Sequence, residues 1–176
     1  MGPWPASCAE GATEMPRAIG LISDTHGLLR PEAIAALRGS VLILHAGDVG
    51  KPEILDQLRA VAPVVAVRGN IDHGDWADRL PKTVLVETGT ARIYVLHDVH
   101  ELDPDPGVAR FDVVVSGHSH KPGRTERGGI LYLNPGSAGP RRFRLPVTVA
   151  RLDLARSPWG VEFIDLFGSA KPSARS

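Results

Sequence analysis

The stretch LISDTHG, residues 21–27, begins with an apolar run and ends in Asp24, Thr25, His26 and Gly27. An apolar run followed by glycine predicts a buried strand that leads into a tight turn. The period of two along a strand places Asp24 and His26 on the same side. We therefore predict that a carboxylate and an imidazole point together from this strand end, as half of a metal site would.

The same arrangement, an apolar run followed by Asp, Asn or His, occurs four more times along the chain. Runs at 41–44, 64–67, 93–96 and 113–115 lead respectively into Asp48, into Asn70, into His97, and into the pair His118 and His120. In open α/β sheets the ligand crevice lies at the carboxyl ends of the strands. We therefore expect the five strand ends to meet at one site.

The first half of the chain alternates strands with helices. Helical patterns at 31–37 and 52–61 separate the first three strands, and Pro31 and Gly39 stand where helix-start and helix-stop residues belong. This order predicts a parallel sheet with right-handed crossovers. After a polar loop at 71–81, which is too short and irregular for a crossover helix, two strands at 83–87 and 91–96 predict a hairpin.

From Asp112 onward the sequence is mostly β. Predicted strands follow at 113–116, 123–126, 129–134, 147–154 and 161–166. Late strands without helices between them predict a second sheet packed on the first. The expected fold class is α/β, with two packed β-sheets flanked by helices in a single-domain, four-layer α/β/β/α sandwich.

Length and composition indicate one globular domain. A chain of 176 residues can bury one core, and 43% hydrophobic with 23% charged residues is typical of globular proteins. We expect a disordered leader at 1–16, the domain at 17–167 and a polar tail at 168–176. Twenty acidic residues balance twenty basic ones, so no nucleic acid is expected as an obligate partner.

The single cysteine, Cys8, excludes an intrachain disulfide and a cysteine metal site. A cytoplasmic location is therefore expected. No apolar stretch approaches the roughly 18 residues that a membrane span needs, so we expect no membrane contact.

Carboxylate, imidazole and amide groups without a thiolate suit Mn²⁺, Fe²⁺, Zn²⁺, Co²⁺ or Ni²⁺. The predicted ligands are too many for one tetrahedral ion, so we expect two divalent ions, with Mn²⁺ as our choice. Two cations about 3.5–4 Å apart would lower the pKa of a shared water.

Taken together, these motifs resemble those of the calcineurin-like metallophosphoesterase superfamily. The short length and the NPGSAG segment at 134–139 point within it to the small bacterial and archaeal phosphodiesterases. The resemblance spans about residues 18–154. The motifs that carry it are Asp24-Thr25-His26, Gly47-Asp48, Gly69-Asn70, His97 and Gly117-His118-Ser119-His120.

The resemblance implies a division of the ligands between two metals. The first would be held by Asp24, His26, Asp48 and His120. The second would be held by Asp48, Asn70, His97 and His118, so that Asp48 bridges. The implied reaction is hydrolysis of a small or nucleotide-like phosphodiester by a metal-bound hydroxide. The alternatives are a phosphomonoesterase or protein phosphatase, and a non-catalytic scaffold like the retromer subunit of this fold; related proteins are often homo-oligomers.

The proton donor for the leaving group is less clearly marked. Many members of the superfamily have a catalytic His after the metal-binding Asn, but Ile71 stands there in this chain. His73 and His100 are the candidates, because both follow ligand positions and histidine is a common general acid. Where many relatives have His-Gly-His, Asp98 and Val99 follow His97.

Several other residues have two readings. The loop containing Asn134, Gly136 and Ser137 is predicted to offer backbone N–H groups to a phosphate. Asn70 considered alone could be a turn residue, and His45 is better explained as a core residue than as a ligand. Three arginines could bind phosphate, line a subunit contact or be solvated, and they are Arg141, Arg142 and Arg144.

Overall fold

The computed structural model describes residues 18–103, 105, 107–142, 144–155 and 158–168. The predicted leader at 1–16 and residues 169–176 of the predicted tail lie outside this part of the chain. The described residues form two five-stranded sheets, three α-helices and one 3₁₀-helix.

The first sheet has the order β10-β9-β1-β2-β3. Its strands are β1 (Ala18–Ile22), β2 (Leu42–His45), β3 (Val64–Ala66), β9 (Thr148–Asp153) and β10 (Gly160–Asp165). Strands β1, β2 and β3 are parallel, with Ile19 opposite Leu42 and Ile43 opposite Val64. Strand β9 runs antiparallel to both β1 and β10.

The second sheet has the order β4-β5-β6-β8-β7. Its strands are β4 (Thr83–Glu87), β5 (Arg92–Leu96), β6 (Val113–Val115), β7 (Gly123–Arg127) and β8 (Ile130–Asn134). The central strands β5, β6 and β8 are parallel, and antiparallel partners cover both edges. Every residue of the edge strand β7 is exposed, and three of its five residues are charged, which protects the edge from further pairing.

The helices lie on the outer face of the first sheet. Helices α1 (Pro31–Leu37) and α2 (Pro52–Arg59) both begin with proline, whose fixed φ suits the first helical position. Their apolar faces pack against the sheet together with the partly buried Trp76 of the short helix α3 (Asp75–Asp78).

The main core lies between the two sheets, where apolar residues of β1, β2 and β9 meet those of β5, β6 and β8. The outer face of the second sheet is covered by the 3₁₀-helix Val99–Glu101 and by the following loop, from which Leu102 and Phe111 pack onto the sheet. The predicted two-sheet α/β sandwich is therefore confirmed, with a thin fourth layer.

Two details differ from the sequence prediction. The last two strands, β9 and β10, do not extend the second sheet but return to the first, where β9 pairs with β1 and buries Ala150 and Leu152 in the core between the sheets. The loop at 71–81 has no crossover helix, as predicted, but contains the short helix α3, which the sequence prediction did not include. Gly74, at φ 87°, starts this single turn, and its Ala77 is fully buried.

No helix in the described part of the chain is long and apolar enough to cross a membrane.

Candidate metal centre

The seven predicted metal ligands lie just past the carboxyl ends of five strands. Three of these strands, β1, β2 and β3, are parallel in the first sheet, and the other two, β5 and β6, are parallel in the second. Five of the seven have a left-handed backbone, which costs an ordinary residue about 1–2 kcal/mol. Their φ angles are 54° at Asp24, 46° at His26, 54° at Asp48, 63° at His118 and 59° at His120. Strain of this kind concentrates where function requires a particular side-chain direction.

The first group of ligand atoms belongs to Asp24, His26 and His120, all within 4.8 Å of one another. The Nε2 atoms of His26 and His120 lie 3.9 and 3.4 Å from Asp24 Oδ1. Asp24 is fully buried, and its Oδ1 has no hydrogen-bond partner among the described residues. A buried carboxylate oxygen facing two imidazoles is well suited to a cation.

Asp24 and His26 come together for a different reason from the predicted one. Strand β1 ends at Ile22, so neither residue belongs to it, and strand alternation does not apply. The turn is held by the backbone of the neighbouring strand end, where Asp24 donates its N–H to Gly47 and His26 donates its N–H to Asp48.

The second group contains Asp48, Asn70, His97 and His118. Asp48 Oδ1 lies 3.3 Å from His97 Nε2, and Asn70 Oδ1 lies 2.9 Å from the same nitrogen. His118 Nδ1 lies 3.2 Å from Asn70 Oδ1. Side chains from four strand ends therefore surround one small space. Ligand atoms of Asp24, Asp48 and His97 also lie within 4.8 Å of one another.

The ring of His97 is oriented by the backbone. Its Nδ1 lies 2.7 Å from the carbonyl oxygen of Ala46, so the proton on Nδ1 is donated there. This hydrogen bond leaves Nε2 to face Asp48 and Asn70, which is how a protein orients a histidine that binds a metal through its other nitrogen.

The pKa values of Asp24 and His97 are both raised, for different reasons. Burial raises the pKa of Asp24 to about 6, against the hydrogen bond that Ser23 donates to it. Burial also opposes the charge on His97, but hydrogen bonding to Asp48 and Ala46 outweighs it and raises the pKa of His97 to about 9. A proton on His97 thus balances Asp48, at the place where a divalent cation would do so.

The imidazoles of the first group stay neutral. Burial, followed by the positive charge of Arg142, lowers the pKa of His120 to about 4. Burial also lowers the pKa of His26, although Asp48 acts in the opposite direction. Neutral imidazole is the form that binds a metal.

Two glycines allow the strand ends to approach. A Cβ on Gly69 would overlap the backbone and carboxylate of Asp48, and a Cβ on Gly117 would overlap Ser23 and Asp24. The glycines before Asn70 and before His118 are therefore needed for close packing at the site.

The sequence analysis missed Asp72 as a residue of this site. Asp72 is 2% exposed, and its carboxylate accepts hydrogen bonds from the N–H groups of Val49, Gly50 and Gly69. It thereby ties the loop that carries Asp48 to the loop that carries Asn70. No pattern in a single sequence separates it from the other acidic residues of its loop.

Asp98 and His45 also support predicted ligands. Asp98 Oδ2 lies 3.6 Å from His118 Nε2, on the side of the ring away from Asn70.

The buried His45 forms a 3.0 Å hydrogen bond with Thr25, which stands between Asp24 and His26 in the sequence. Thr25 donates its hydroxyl proton to the Val49 carbonyl, so it accepts from His45. This placement agrees with the core role favoured for His45.

The two candidate proton donors line different cavities. His73 lines a cleft of about 490 Å³ that also contains Asn70, His97 and His118. His100 lines another cavity of about 490 Å³, on the outer face of the second sheet. Only His73 therefore shares a cleft with predicted metal ligands.

The predicted phosphate loop is fastened to the turn that carries Asp24. Asn134 donates its side-chain N–H to the Gly117 carbonyl and accepts from the N–H of Gly136. Ser137 donates its hydroxyl proton to the Asp24 carbonyl, at 3.0 Å. These contacts show a supporting role for the loop, while the role of Asn134, Gly136 and Ser137 in binding phosphate stays a prediction.

Comparisons with known proteins identify the family to which this chain belongs. Residues 18–157 match the family model of the calcineurin-like phosphoesterase superfamily domain. A probable metallophosphoesterase of Methanothermobacter thermautotrophicus is 38% identical over 148 residues, or 77% of this chain and 86% of the relative. Phosphodiesterase YfcE of Escherichia coli is 32% identical over 158 residues, or 74% of this chain and 84% of the relative.

Solved structures show the same fold. A predicted phosphoesterase from Streptococcus pneumoniae has a TM-score of 0.68 at 25% identity, covering 89% of this chain and 94% of the other. Vps29 of Chaetomium thermophilum has a TM-score of 0.68 at 20% identity, covering 84% and 96%, and this likeness concerns the fold alone. The family match over most of the chain, the relatives and the grouped ligand side chains lead to one conclusion: the chain belongs to the calcineurin-like phosphoesterase superfamily.

Proposed function

We propose that the protein is a phosphodiesterase that uses two divalent metal ions to hydrolyse a small or nucleotide-like ester. The observation that carries the proposal is the orientation of Asp48. Its Oδ1 lies 3.3 Å from His97 Nε2, whereas its Oδ2 lies 3.7 Å from His26 Nε2. The two oxygens of one carboxylate thus face histidines of the two ligand groups, as a bridging ligand requires.

The residues present are suited to two such ions. One ion would be held by Asp24, His26 and His120. The other would be held by Asn70, His97 and His118. Asp48 would bind both ions. Hard oxygen and borderline nitrogen ligands suit Mn²⁺, which we propose as the native metal, with Fe²⁺, Zn²⁺, Co²⁺ or Ni²⁺ as alternatives. When bound, such a pair activates water and neutralises charge on the phosphoryl group.

The cleft beside the second ligand group would hold one ester group of the substrate. Its volume of about 490 Å³ is within the usual range for small-molecule sites. Asn70, His97 and His118 line the cleft, and Arg68 and Lys82 also line it. A mixed polar lining of this kind suits a nucleotide-like group.

His73 is the residue that we propose as the proton donor. In the hydrolysis, the oxygen of water bonds to phosphorus and the water gives up one proton, while the ester P–O bond breaks and the leaving oxygen takes a proton from His73. The proton that the water released returns to the solvent, from which His73 is protonated again. His73 is exposed in the same cleft as the second ligand group, so it can reach a leaving group held there. The role of Ile71 is different: its backbone N–H donates to Asp48 Oδ1 at 3.1 Å and orients that carboxylate.

The scaffold alternative is less well supported. All seven predicted ligand positions carry Asp, Asn or His, and their side chains face one another. The phosphomonoesterase alternative gains support from Arg142, whose Nη2 lies 3.5 Å from His26 Nε2, because an arginine can take the extra charge of a monoester.

We also propose a cytoplasmic location, because a lone cysteine is typical of chains that fold without disulfides. A small phosphodiester is the proposed partner, without a membrane or an obligate nucleic acid. We also propose a homo-oligomer, which a measurement of the mass in solution would test.

The test of the metal-dependent activity compares the wild type with Asp48→Asn in the presence of Mn²⁺. We expect two manganese ions per wild-type chain and hydrolysis of bis(4-nitrophenyl) phosphate. Asp48→Asn should lose at least about a hundredfold in kcat/KM, because it removes a ligand charge shared by both ions. Asp56→Asn, on the exposed face of α2, is the matched control and should behave like the wild type. Turnover that needs no metal, or that survives in Asp48→Asn, would contradict the proposal.

A further inference from the structure

The segment after β8 is held against the first ligand group. The N–H of Ala138 donates to the Ser23 carbonyl at 3.0 Å, and the N–H of Gly139 donates to the Asp24 carbonyl at 3.2 Å. A Cβ on Gly139 would overlap the carbonyl groups of Asp24 and Thr25, so this approach is close. The arginines that follow are thereby brought to the His26 side of the site.

Arg142 is the arginine that reaches the site. Its Nη2 lies 3.5 Å from His26 Nε2, and the residue is exposed. Within the described residues it forms no ion pair with a carboxylate. Arg68 in the neighbouring cleft differs, because Asp78 pairs with it at 2.7 Å.

An anion would make the position of Arg142 more favourable when a cation is bound. His26 is a predicted ligand of a divalent cation, and a guanidinium beside that ligand is repelled by the bound cation. An anion located between the cation and Arg142 would be attracted by both. Guanidinium binds phosphate oxygens through two parallel hydrogen bonds, which suits a phosphoryl group.

We propose that Arg142 binds a non-bridging phosphate oxygen of the substrate and allows the site to accept the dianion of a phosphate monoester. The inference rests on the proposed function of the site. A monoester carries one more negative charge than a diester, so Arg142 contributes more to binding the monoester. The residue binds substrate and takes no part in proton transfer.

The neighbouring arginine Arg144 offers a matched control. It lines a separate cavity of about 330 Å³ together with Arg141 and Asp165. Arg144→Gln therefore removes the same charge from the same segment, away from the ligand groups.

The first measurement is the binding of inorganic phosphate to the Mn²⁺-loaded protein by calorimetry. Arg142→Gln should weaken phosphate binding about tenfold or more, because a charge-assisted hydrogen bond is lost. Arg144→Gln should bind phosphate like the wild type. Manganese should bind Arg142→Gln as tightly as the wild type, or more tightly, because a repulsive charge is gone. Equal phosphate binding by the wild type and Arg142→Gln, or none by the wild type, would overturn the inference.

The second measurement separates the inference from the proposed function. With 4-nitrophenyl phosphate, Arg142→Gln should lose about tenfold or more in kcat/KM through a higher KM, and the loss with the bis-ester should be smaller. Equal losses for the two esters would overturn the monoester assignment. If the wild type hydrolyses neither ester but binds phosphate through Arg142, the hydrolytic function fails and the anion site stands.

Discussion

His73 and His100 are both exposed, and both follow predicted ligands in the sequence, but their surroundings differ. His73 lines the cleft that also contains Asn70 and His97, whereas His100 lies on the outer face of the second sheet. At the scale of single residues, function therefore depends on the cavity that a side chain enters.

We expect His73→Ala to slow the hydrolysis of esters whose leaving group needs a proton. With an alkyl diester such as glycerophosphoethanolamine, kcat should fall about a hundredfold, which is typical of a lost general acid. With bis(4-nitrophenyl) phosphate the loss should be much smaller, because 4-nitrophenolate leaves without a proton.

His100→Ala is the matched control for this experiment, and its kcat should stay close to that of the wild type for both esters. If His100→Ala lost the alkyl activity and His73→Ala kept it, the two assignments would have to be exchanged. Parallel losses with both esters in His73→Ala would indicate a role in binding instead of proton transfer.

At the scale of elements, the site consists of short loops at strand ends that are fastened to one another. Asp72 joins the loop after β2 to the loop after β3, through three backbone N–H groups. The segment 137–139 is attached in the same way to the turn after β1. Left-handed backbone at the predicted ligands persists because these contacts hold each turn in place.

We predict that Asp72→Ala lowers the free energy of unfolding by about 3 kcal/mol, because the buried N–H groups of Val49 and Gly69 and the partly buried N–H of Gly50 lose their acceptor. Asp56→Ala should cost less than about 1 kcal/mol, since it removes only an exposed ion pair with Arg59. Urea unfolding of both variants measures the difference. A cost for Asp72→Ala no larger than that for Asp56→Ala would show that the loops hold together without this carboxylate.

At the scale of the whole molecule, the two packed sheets enclose groups that must stay uncharged. His45 is fully buried at the end of β2, where its Nε2–H donates to Thr25 and its Nδ1 has no partner among the described residues. Burial lowers the pKa of His45 to about 4, below its ordinary value of 6.5. The unfolded chain therefore takes up a proton at a pH at which the folded chain does not.

This difference predicts that His45 makes the fold sensitive to acid. Stability associated with neutral His45 is complete above pH 6.5 and is lost as the pH falls toward 4. Between pH 7 and pH 5 the loss is about 2 kcal/mol. In EDTA, the free energy of unfolding of His45→Gln should fall less over this range than that of the wild type. The same pH dependence in both proteins would contradict the prediction.

Much of the architecture follows from local patterns in the sequence. Alternation and apolar runs predict the strands, and Pro31 and Pro52 predict where α1 and α2 begin. The partners of β9 and β10 do not follow from such patterns. The sequence pattern of these strands is compatible with pairing in either sheet. Only the packing of the complete core decides that β9 pairs with β1.

The candidate site likewise has features that the sequence predicts and features that only the tertiary structure decides. The types of the seven predicted ligands and their positions after strands follow from the sequence alone, because the carboxyl ends of parallel strands meet at one edge. The bonds of Asp72, the approach of Arg142 to His26 and the cleft of His73 depend on tertiary structure. The physical reason is that periodicity acts between neighbours along the chain, whereas these contacts join segments that meet only when both sheets are assembled.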